Sequence, residues 1–143
     1  MDMLKSIPKN VTPELLKILM EMGHSDEIVI ADGNFPAASH AQRLIRMDGQ
    51  TASEVLKSML ELLPLDTYVE APITYMATPP DEATPEIWEV YEEIFIHSKE
   101  KNIQSQSIDR FEFYERAKKA YAIIATSESA LYANIILKKG VIT

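Results

Sequence analysis

Helical and strand-like segments alternate along the chain, and the spacing of apolar residues distinguishes them. Four segments carry apolar residues three and four positions apart behind residues that typically begin helices. These predicted starts are Thr12-Pro13, Thr51, Thr84-Pro85 and Asp109, with a further short helix predicted within Ala37 to Leu44. Gly23 is predicted to end the first helix as a left-handed cap. Short apolar runs predict strands at residues 27–31, 72–77, 121–126 and 134–137.

This alternation favours an α/β layered domain over an all-helical or all-β one. Residues 127–132, which link the last two predicted strands, are too few for a helical crossover. The sheet is therefore predicted to be mixed rather than wholly parallel. At roughly 150 residues for an average domain, a chain of 143 residues is predicted to form one domain, residues 1–143.

Composition argues against several classes of function. The chain has no cysteine, which excludes disulfides, thiolate zinc sites and cysteine nucleophiles. Its 22 acidic and 14 basic residues give a net charge of −8, which argues against nucleic-acid and anionic-membrane partners. The four glycines form neither a dinucleotide-binding motif nor a P-loop. No apolar run approaches the ~20 residues of a spanning helix, so a soluble, cytoplasmic protein is expected.

His24 and Asp32 are candidate site residues because His24 follows the first predicted helix and Asp32 follows the first strand. Ligands commonly bind at such element ends in α/β folds. An imidazole can transfer protons near neutral pH, and a carboxylate can hold a substrate hydroxyl. From position alone, a capping or surface role for His24 is the more common alternative. Metal binding by His24, Asp26, Asp32 and His40 is not predicted, because no HExxH spacing occurs.

Two further pairs of polar residues have the chemistry to bind a polyol. Arg110 and Tyr114 lie four residues apart on one predicted helix face, where a guanidinium and a phenol can bind neighbouring hydroxyls. The alternative is a solvated Arg110 paired with a carboxylate such as Glu112 or Glu115, and a core role for Tyr114. Tyr132 and Asn134 alternate with apolar residues and would point the same way from the last strand. A turn residue beside a half-buried aromatic is the equal alternative there.

Taken together, these segments resemble the RbsD/FucU family of sugar mutarotases over nearly the whole chain. Thr12 to Leu16 and Glu21 to Ile28 match the opening helix and turn of the family. The other matching segments follow in family order at residues 32–36, 46–49, 109–117 and 132–141. The DRFEFYERA segment at 109–117 makes the chain most similar to the fucose branch of that family.

The resemblance implies roles for individual residues. It makes His24 the catalytic histidine and Tyr114 or Tyr132 its partner in proton transfer. Where some members have Ala-His, this chain has Gly33-Asn34, so Asn34 is expected to contribute hydrogen bonding only. The implied sugar-binding residues are Asp32, Arg110, Tyr132 and Asn134.

The family also implies a fold, a reaction and an assembly. The expected fold is a three-layer α/β/α domain with a mixed, mostly parallel central sheet. The expected reaction interconverts the α and β anomers of L-fucose by acid/base-assisted ring opening and closure, with no cofactor or metal. A D-ribose pyranase, a broader aldose mutarotase and a non-catalytic monosaccharide-binding module remain the alternatives. A homo-oligomer is expected, as a decameric ring with sugar sites near subunit boundaries.

Overall fold

The computed structural model describes residues 3–143, which contain five helices and six strands. The helices are α1 (Pro13–Glu21), α2 (Ala37–His40), α3 (Ala52–Met59), α4 (Glu86–His97) and α5 (Arg110–Lys119). The strands are β1 (Glu27–Ala31), β2 (Leu44–Met47), β3 (Ile73–Met76), β4 (Ser105–Ile108), β5 (Ala122–Thr126) and β6 (Ile135–Lys138).

All six strands pair in one sheet in the order β2-β5-β1-β6-β3-β4. Strand β6 runs antiparallel to its neighbours β1 and β3, whereas the other pairs are parallel. The prediction of a mixed, mostly parallel sheet is therefore confirmed. One edge of the sheet holds the carboxyl ends of β1 to β5 and the amino end of β6. We call it the carboxyl edge, and we call the opposite one the amino edge.

Helices cover both faces of the sheet, so the three expected layers are present. Ile28 and Ile30 of β1 pack with α1, α3 and α4 on one face. Val29 and Ala31 pack with α2 and α5 on the other. Because β1 lies between β5 and β6 and is covered on both sides, four of its residues in succession are buried and apolar. Within residues 3–143 no helix is both long and apolar enough to cross a membrane.

Three of the predicted helix starts are confirmed by their capping bonds. Thr12 Oγ1 accepts a hydrogen bond from the Leu15 N–H at 3.0 Å. Thr51 Oγ1 and Asp109 Oδ1 accept equivalent bonds from residues three positions later, at 3.2 and 3.0 Å. Each bond satisfies a backbone donor that has no partner inside the helix, which explains why a local sequence signal located these starts.

The predicted start of α4 and the predicted end of α1 are each wrong in detail. Helix α4 begins at Glu86 with Pro85 as its cap, and the predicted cap Thr84 makes no capping bond. Helix α1 ends at Glu21, with Met22 already extended, and Gly23 does not adopt the left-handed conformation. The Gly23 N–H instead donates to Asp26 Oδ2 at 2.7 Å, so a side chain closes this turn.

Strands β2 and β4 were not among the predicted elements. Residues 44–47 alternate in burial, and residues 105–108 are mostly exposed serine and glutamine. Both strands lie at the outer positions of the sheet, each paired on one side only. Their extended conformation therefore depends on pairing with β5 and β3, which no local apolar pattern reports.

Candidate active site

Asp32 and Asn134 meet at the carboxyl edge. Asp32 follows β1 and Asn134 precedes β6, and the antiparallel pairing of these strands brings the two residues side by side. The Asp32 N–H donates to Asn134 Oδ1 at 2.8 Å, and both residues are buried. This bond engages the amide oxygen, so the Asn134 NH₂ group is the part of the side chain that donates, and it faces the Asp32 carboxylate.

The Asp32 side chain closes the turn that follows β1. Its Oδ1 accepts a hydrogen bond from the Asn34 N–H at 3.0 Å, so Asn34 contributes through its backbone. Burial raises the pKa of Asp32 above its ordinary value, against the opposing effect of hydrogen bonds from neighbouring backbone groups and from Asn134. A carboxylate with so little solvent around it is a strong acceptor for a hydroxyl donor.

Tyr132 lies at the same edge but not on a strand. It has φ of +56°, in the left-handed region, and β6 begins three residues later at Ile135. The expected strand alternation between Tyr132 and Asn134 is therefore wrong, because the chain turns between them. The half-buried Tyr132 ring packs against the core between the sheet and α5.

Tyr114 of α5 packs against the same core and belongs to a group of three aromatic side chains. Its ring centroid lies 5.4 Å from that of Phe35 and 5.4 Å from that of His40. The His40 ring also lies 6.2 Å from that of Phe35, and its Nδ1 is 2.9 Å from Ser39 Oγ. The alternative of a core role for Tyr114 thus holds in part, because its ring is only partly buried. The structure also places His40 beside Tyr114, which the sequence did not predict.

Arg110 begins α5, directly after β4 and the cap Asp109. Its guanidinium lies 4.8 Å from the centroid of the exposed Phe111 ring. Glu115 pairs with Lys118, and among residues 3–143 no ion pair involves Arg110. The alternative of an Arg110 paired with Glu112 or Glu115 is therefore wrong, and the guanidinium is available to a ligand.

His24 lies at the amino edge, away from the other candidates. It stands in the turn before β1, where the Ser25 N–H donates to the Lys139 carbonyl oxygen at 2.9 Å. The strand between Asp26 and Asp32 rises ~3.3 Å per residue, which separates His24 from Asp32 by roughly 20 Å. The sequence placed both residues at element ends, but these ends lie on opposite edges of the sheet. One copy of the chain does not bring His24 together with Asp32.

Asp66 is the partner of His24, and nothing in the sequence pattern singled it out. His24 Nε2 lies 3.0 Å from Asp66 Oδ1, which also accepts a hydrogen bond from the Tyr68 N–H. Asp66 is buried, and its Oδ2 has no hydrogen-bond partner among the described residues. Burial raises the pKa of this carboxyl, but the bonds from Tyr68 and His24 and the charges of His24 and Lys138 outweigh it, so the pKa is lowered.

This pairing settles which imidazole nitrogen carries hydrogen. An ionised carboxylate only accepts hydrogen bonds, so Nε2 must carry the hydrogen that is shared with Asp66. Nδ1 is therefore the nitrogen that gains and loses a proton. The Tyr68 ring lies edge-on to the imidazole with centroids 5.3 Å apart, and its side chain is otherwise exposed.

A small cavity of about 190 Å³ lies at the amino edge, lined by Leu65 and Thr67, the sequence neighbours of Asp66, and by residues 141–143 among others. A cavity of about 790 Å³ lies between the ends of α3 and α4, lined by Lys57, Glu61, Glu93 and His97 among others, and no candidate site residue lines it. Within residues 3–143 no group of three metal-ligating side chains comes together. The candidate residues form two groups, one at the carboxyl edge and one at the amino edge.

Comparisons with known proteins identify the family of this chain. The sequence profile of the RbsD / FucU transport protein family matches residues 5–142. The fucose mutarotase of Mus musculus is 51% identical, over 96% of this chain and 94% of its own. A crystal structure of the fucose mutarotase of Streptococcus pneumoniae in complex with L-fucose is 52% identical, with a TM-score of 0.93, covering 98% of this chain and all of that one.

A more distant structural relative marks the other branch. Bacillus subtilis RbsD complexed with D-ribose is 26% identical, with a TM-score of 0.74, over 93% of this chain and 95% of that chain. The match to fucose mutarotases is thus closer in sequence and in structure than the match to this ribose-binding relative. The profile match over residues 5–142 and the similarity to these relatives show that this chain belongs to the RbsD/FucU family.

Proposed function

We propose that this chain is an L-fucose mutarotase, an isomerase that interconverts the α and β anomers of the free sugar. The observation that carries the proposal is the pair formed by Asp32 and Asn134, a desolvated acceptor beside an amide donor at one edge of the sheet. Their arrangement suits a neutral polyol. The close relationship to fucose mutarotases supports L-fucose as that polyol.

The chemistry requires two proton transfers and no cofactor. One group removes the proton from the anomeric hydroxyl while another protonates the ring oxygen, so that the C1–O5 bond breaks. Rotation about the C1–C2 bond and reversal of both transfers close the ring as the other anomer. General acid or base assistance contributes ~10²–10⁴-fold for each positioned group.

In this proposal the residues of the carboxyl edge hold and orient the sugar. Asp32 accepts hydrogen bonds from sugar hydroxyls, and Arg110 and Asn134 donate to them. Tyr132 or Tyr114 supplies a phenol that carries the second proton. These roles are supported by the desolvation of Asp32, by the Arg110 guanidinium, which forms no ion pair within residues 3–143, and by the position of both tyrosines on the core beside α5.

His24 supplies the first proton transfer through Nδ1, with Asp66 holding Nε2. Because roughly 20 Å separate His24 from Asp32 within one copy, we place the two groups in one site only when two copies meet. The amino edge of one copy then faces the carboxyl edge of the next. Such head-to-tail contacts close into rings, and a decameric ring is the assembly proposed.

Three further points belong to the same proposal. Residues 1–143 form a single mutarotase domain, and the assembly has ten times the chain mass of 16.2 kDa, which light scattering measures. The third point is a cytoplasmic location, which is tested by fractionating cells that express the tagged chain.

Saturation-transfer NMR tests the activity directly, because it reports anomer exchange of a free sugar at equilibrium. The wild-type protein is expected to accelerate exchange of L-fucose more than that of D-ribose. His24→Ala is expected to lose ~10²–10⁴-fold in rate. Equal or greater acceleration for D-ribose would favour the pyranase alternative. Saturable L-fucose binding without any acceleration would leave a non-catalytic sugar-binding module.

A further inference from the structure

The segment Tyr132–Asn134 is held in an unusual backbone conformation by two side chains of α4. Tyr132 has φ of +56°, a region that costs free energy for any residue but glycine. Trp88 Nε1 donates to the Tyr132 carbonyl oxygen at 2.9 Å. The Tyr91 hydroxyl donates to the next carbonyl oxygen, that of Ala133, at 2.6 Å. Consecutive carbonyls are thus held by residues three apart on one helix.

Both hydrogen bonds have donor groups that stay donors under all ordinary conditions. Tyr91 is fully buried, and burial raises the pKa of its phenol well above its ordinary value, so that the hydroxyl stays a neutral donor. An indole N–H donates only and cannot exchange roles. With both carbonyls fixed, the backbone between them has little freedom to relax out of its left-handed conformation.

The two held carbonyls also fix the position of Asn134, which pairs with Asp32. Asn134 directly follows the held carbonyl of Ala133, and its Oδ1 accepts the Asp32 N–H. The orientation of Asn134 and of Tyr132 therefore depends on α4, which itself contributes no group to the site. An aromatic stripe at helical spacing, here Trp88, Tyr91 and Phe95 of α4, is typical of packing, but among the three only Phe95 has no polar group.

We propose that Trp88 and Tyr91 are positioning residues, which fix Tyr132 and Asn134 for sugar binding and proton transfer by holding the two carbonyls. The catalytic part of this inference rests on the proposed function. The holding itself does not, because it is measurable in the protein without any sugar.

A matched control lies beside them. Tyr75 of β3 is also buried, its ring stacks on that of Trp88 at 4.6 Å and runs parallel to that of Tyr91 at 6.2 Å, and its hydroxyl donates to Glu92 Oε1. Tyr75→Phe thus removes one hydroxyl from the same packed cluster without touching the held segment. Tyr91→Phe and Trp88→Phe each remove one bond to it and keep an aromatic ring.

The test measures two quantities on the assembled wild type and the three variants. Hydrogen-exchange mass spectrometry follows the Asp32 amide, which is protected by Asn134. Tyr91→Phe and Trp88→Phe are expected to speed its exchange ~tenfold, and Tyr75→Phe to leave it unchanged. For L-fucose anomer exchange, the first two variants are expected to lose about threefold to tenfold in kcat/KM, and Tyr75→Phe less than twofold.

Unchanged protection of the Asp32 amide in both variants would overturn the inference, whatever the activity. Faster exchange with kcat/KM no lower than in Tyr75→Phe would overturn the positioning role. A wild-type protein with no effect on anomer exchange would remove the proposed function, and the hydrogen-exchange result would still decide whether α4 holds the segment.

Discussion

His24 Nε2 lies 3.0 Å from Oδ1 of Asp66, a buried carboxylate whose other oxygen has no partner among the described residues. The pair joins the turn before β1 to the segment that follows α3, 42 positions away in sequence. Because Asp66 only accepts, it commits the imidazole to carrying hydrogen on Nε2 and leaves Nδ1 to exchange protons. The protein thereby holds an imidazole of defined tautomer and orientation at the amino edge.

The first prediction concerns this pair. Asp66→Asn keeps the size of the side chain but removes the charge that stabilises the protonated imidazole and fixes its tautomer. We expect kcat for L-fucose exchange to fall by ~10²-fold or more. Nitrogen-15 NMR of His24 is expected to change from one tautomer to a mixture. Asp48→Asn, at an exposed carboxylate paired with Arg46, serves as the control and should change neither quantity.

The second prediction concerns the stability cost of Asp32. A carboxyl whose pKa is higher in the folded protein destabilises the fold when it ionises, and that effect is present above the raised pKa and absent below the ordinary value of 3.8. Asp32→Asn retains an acceptor for the Asn34 N–H. We therefore expect the variant to unfold at a higher denaturant concentration at pH 7, and the gain to shrink towards pH 4.

The same variant should lose sugar binding, since the amide is a weaker acceptor than the carboxylate. Chemical denaturation at both pH values and L-fucose titration by calorimetry measure the two effects. A variant that is less stable at pH 7 than the wild type would show that the buried charge contributes stability instead.

The third prediction concerns Gly140, which lies against the segment that carries Asp66. A Cβ at this position would meet the Leu65 carbonyl oxygen at 2.6 Å and Asp66 Cα at 2.7 Å, both of them backbone atoms that cannot move aside cheaply. Gly140→Ala is expected to lower the free energy of unfolding by about 1–3 kcal/mol. It should also reduce kcat by displacing Asp66 from His24.

Gly23→Ala is the matched control, because its Cβ would meet only Asp26 Oδ2 at an ordinary 3.7 Å. Thermal unfolding and fucose exchange measure both variants. Equal effects of the two substitutions would contradict the close approach of residue 140 to residues 65 and 66.

Elements fixed by contacts between near neighbours in sequence were predictable, and elements fixed by pairing with distant segments were not. The starts of α1, α3 and α5 were predictable because Thr12, Thr51 and Asp109 bond to amides only three residues away. Strand β1 was predictable because burial on both faces leaves a continuous apolar run. Strand β4 was not, since Ser105–Ile108 is extended only by pairing with β3.

In the candidate site, too, residues marked by a local pattern or motif were found, and a contact between distant segments was not. Asp32 was recognisable as the residue after a buried strand, and the motif that contains Arg110 and Tyr114 by its resemblance to the family. The link between His24 and Asp66 depends on how the chain returns to the amino edge after α3, which no local pattern records. The separation of His24 from Asp32, by contrast, follows from the length of β1, which lies between them, and was already implied by the strand predicted at residues 27–31.

An L-fucose mutarotase site shared by two copies of the chain is tested most directly by mixing two inactive variants. His24→Ala disables only the amino edge and Asp32→Asn only the carboxyl edge, so random reassembly of an equal mixture should restore an intact pair of edges at about a quarter of the interfaces. L-fucose exchange, followed by saturation-transfer NMR, is expected to recover to about a quarter of the wild-type rate in the mixed assembly. A mixture that stays as slow as the separate variants, although mass spectrometry shows mixed assemblies, would contradict a shared site.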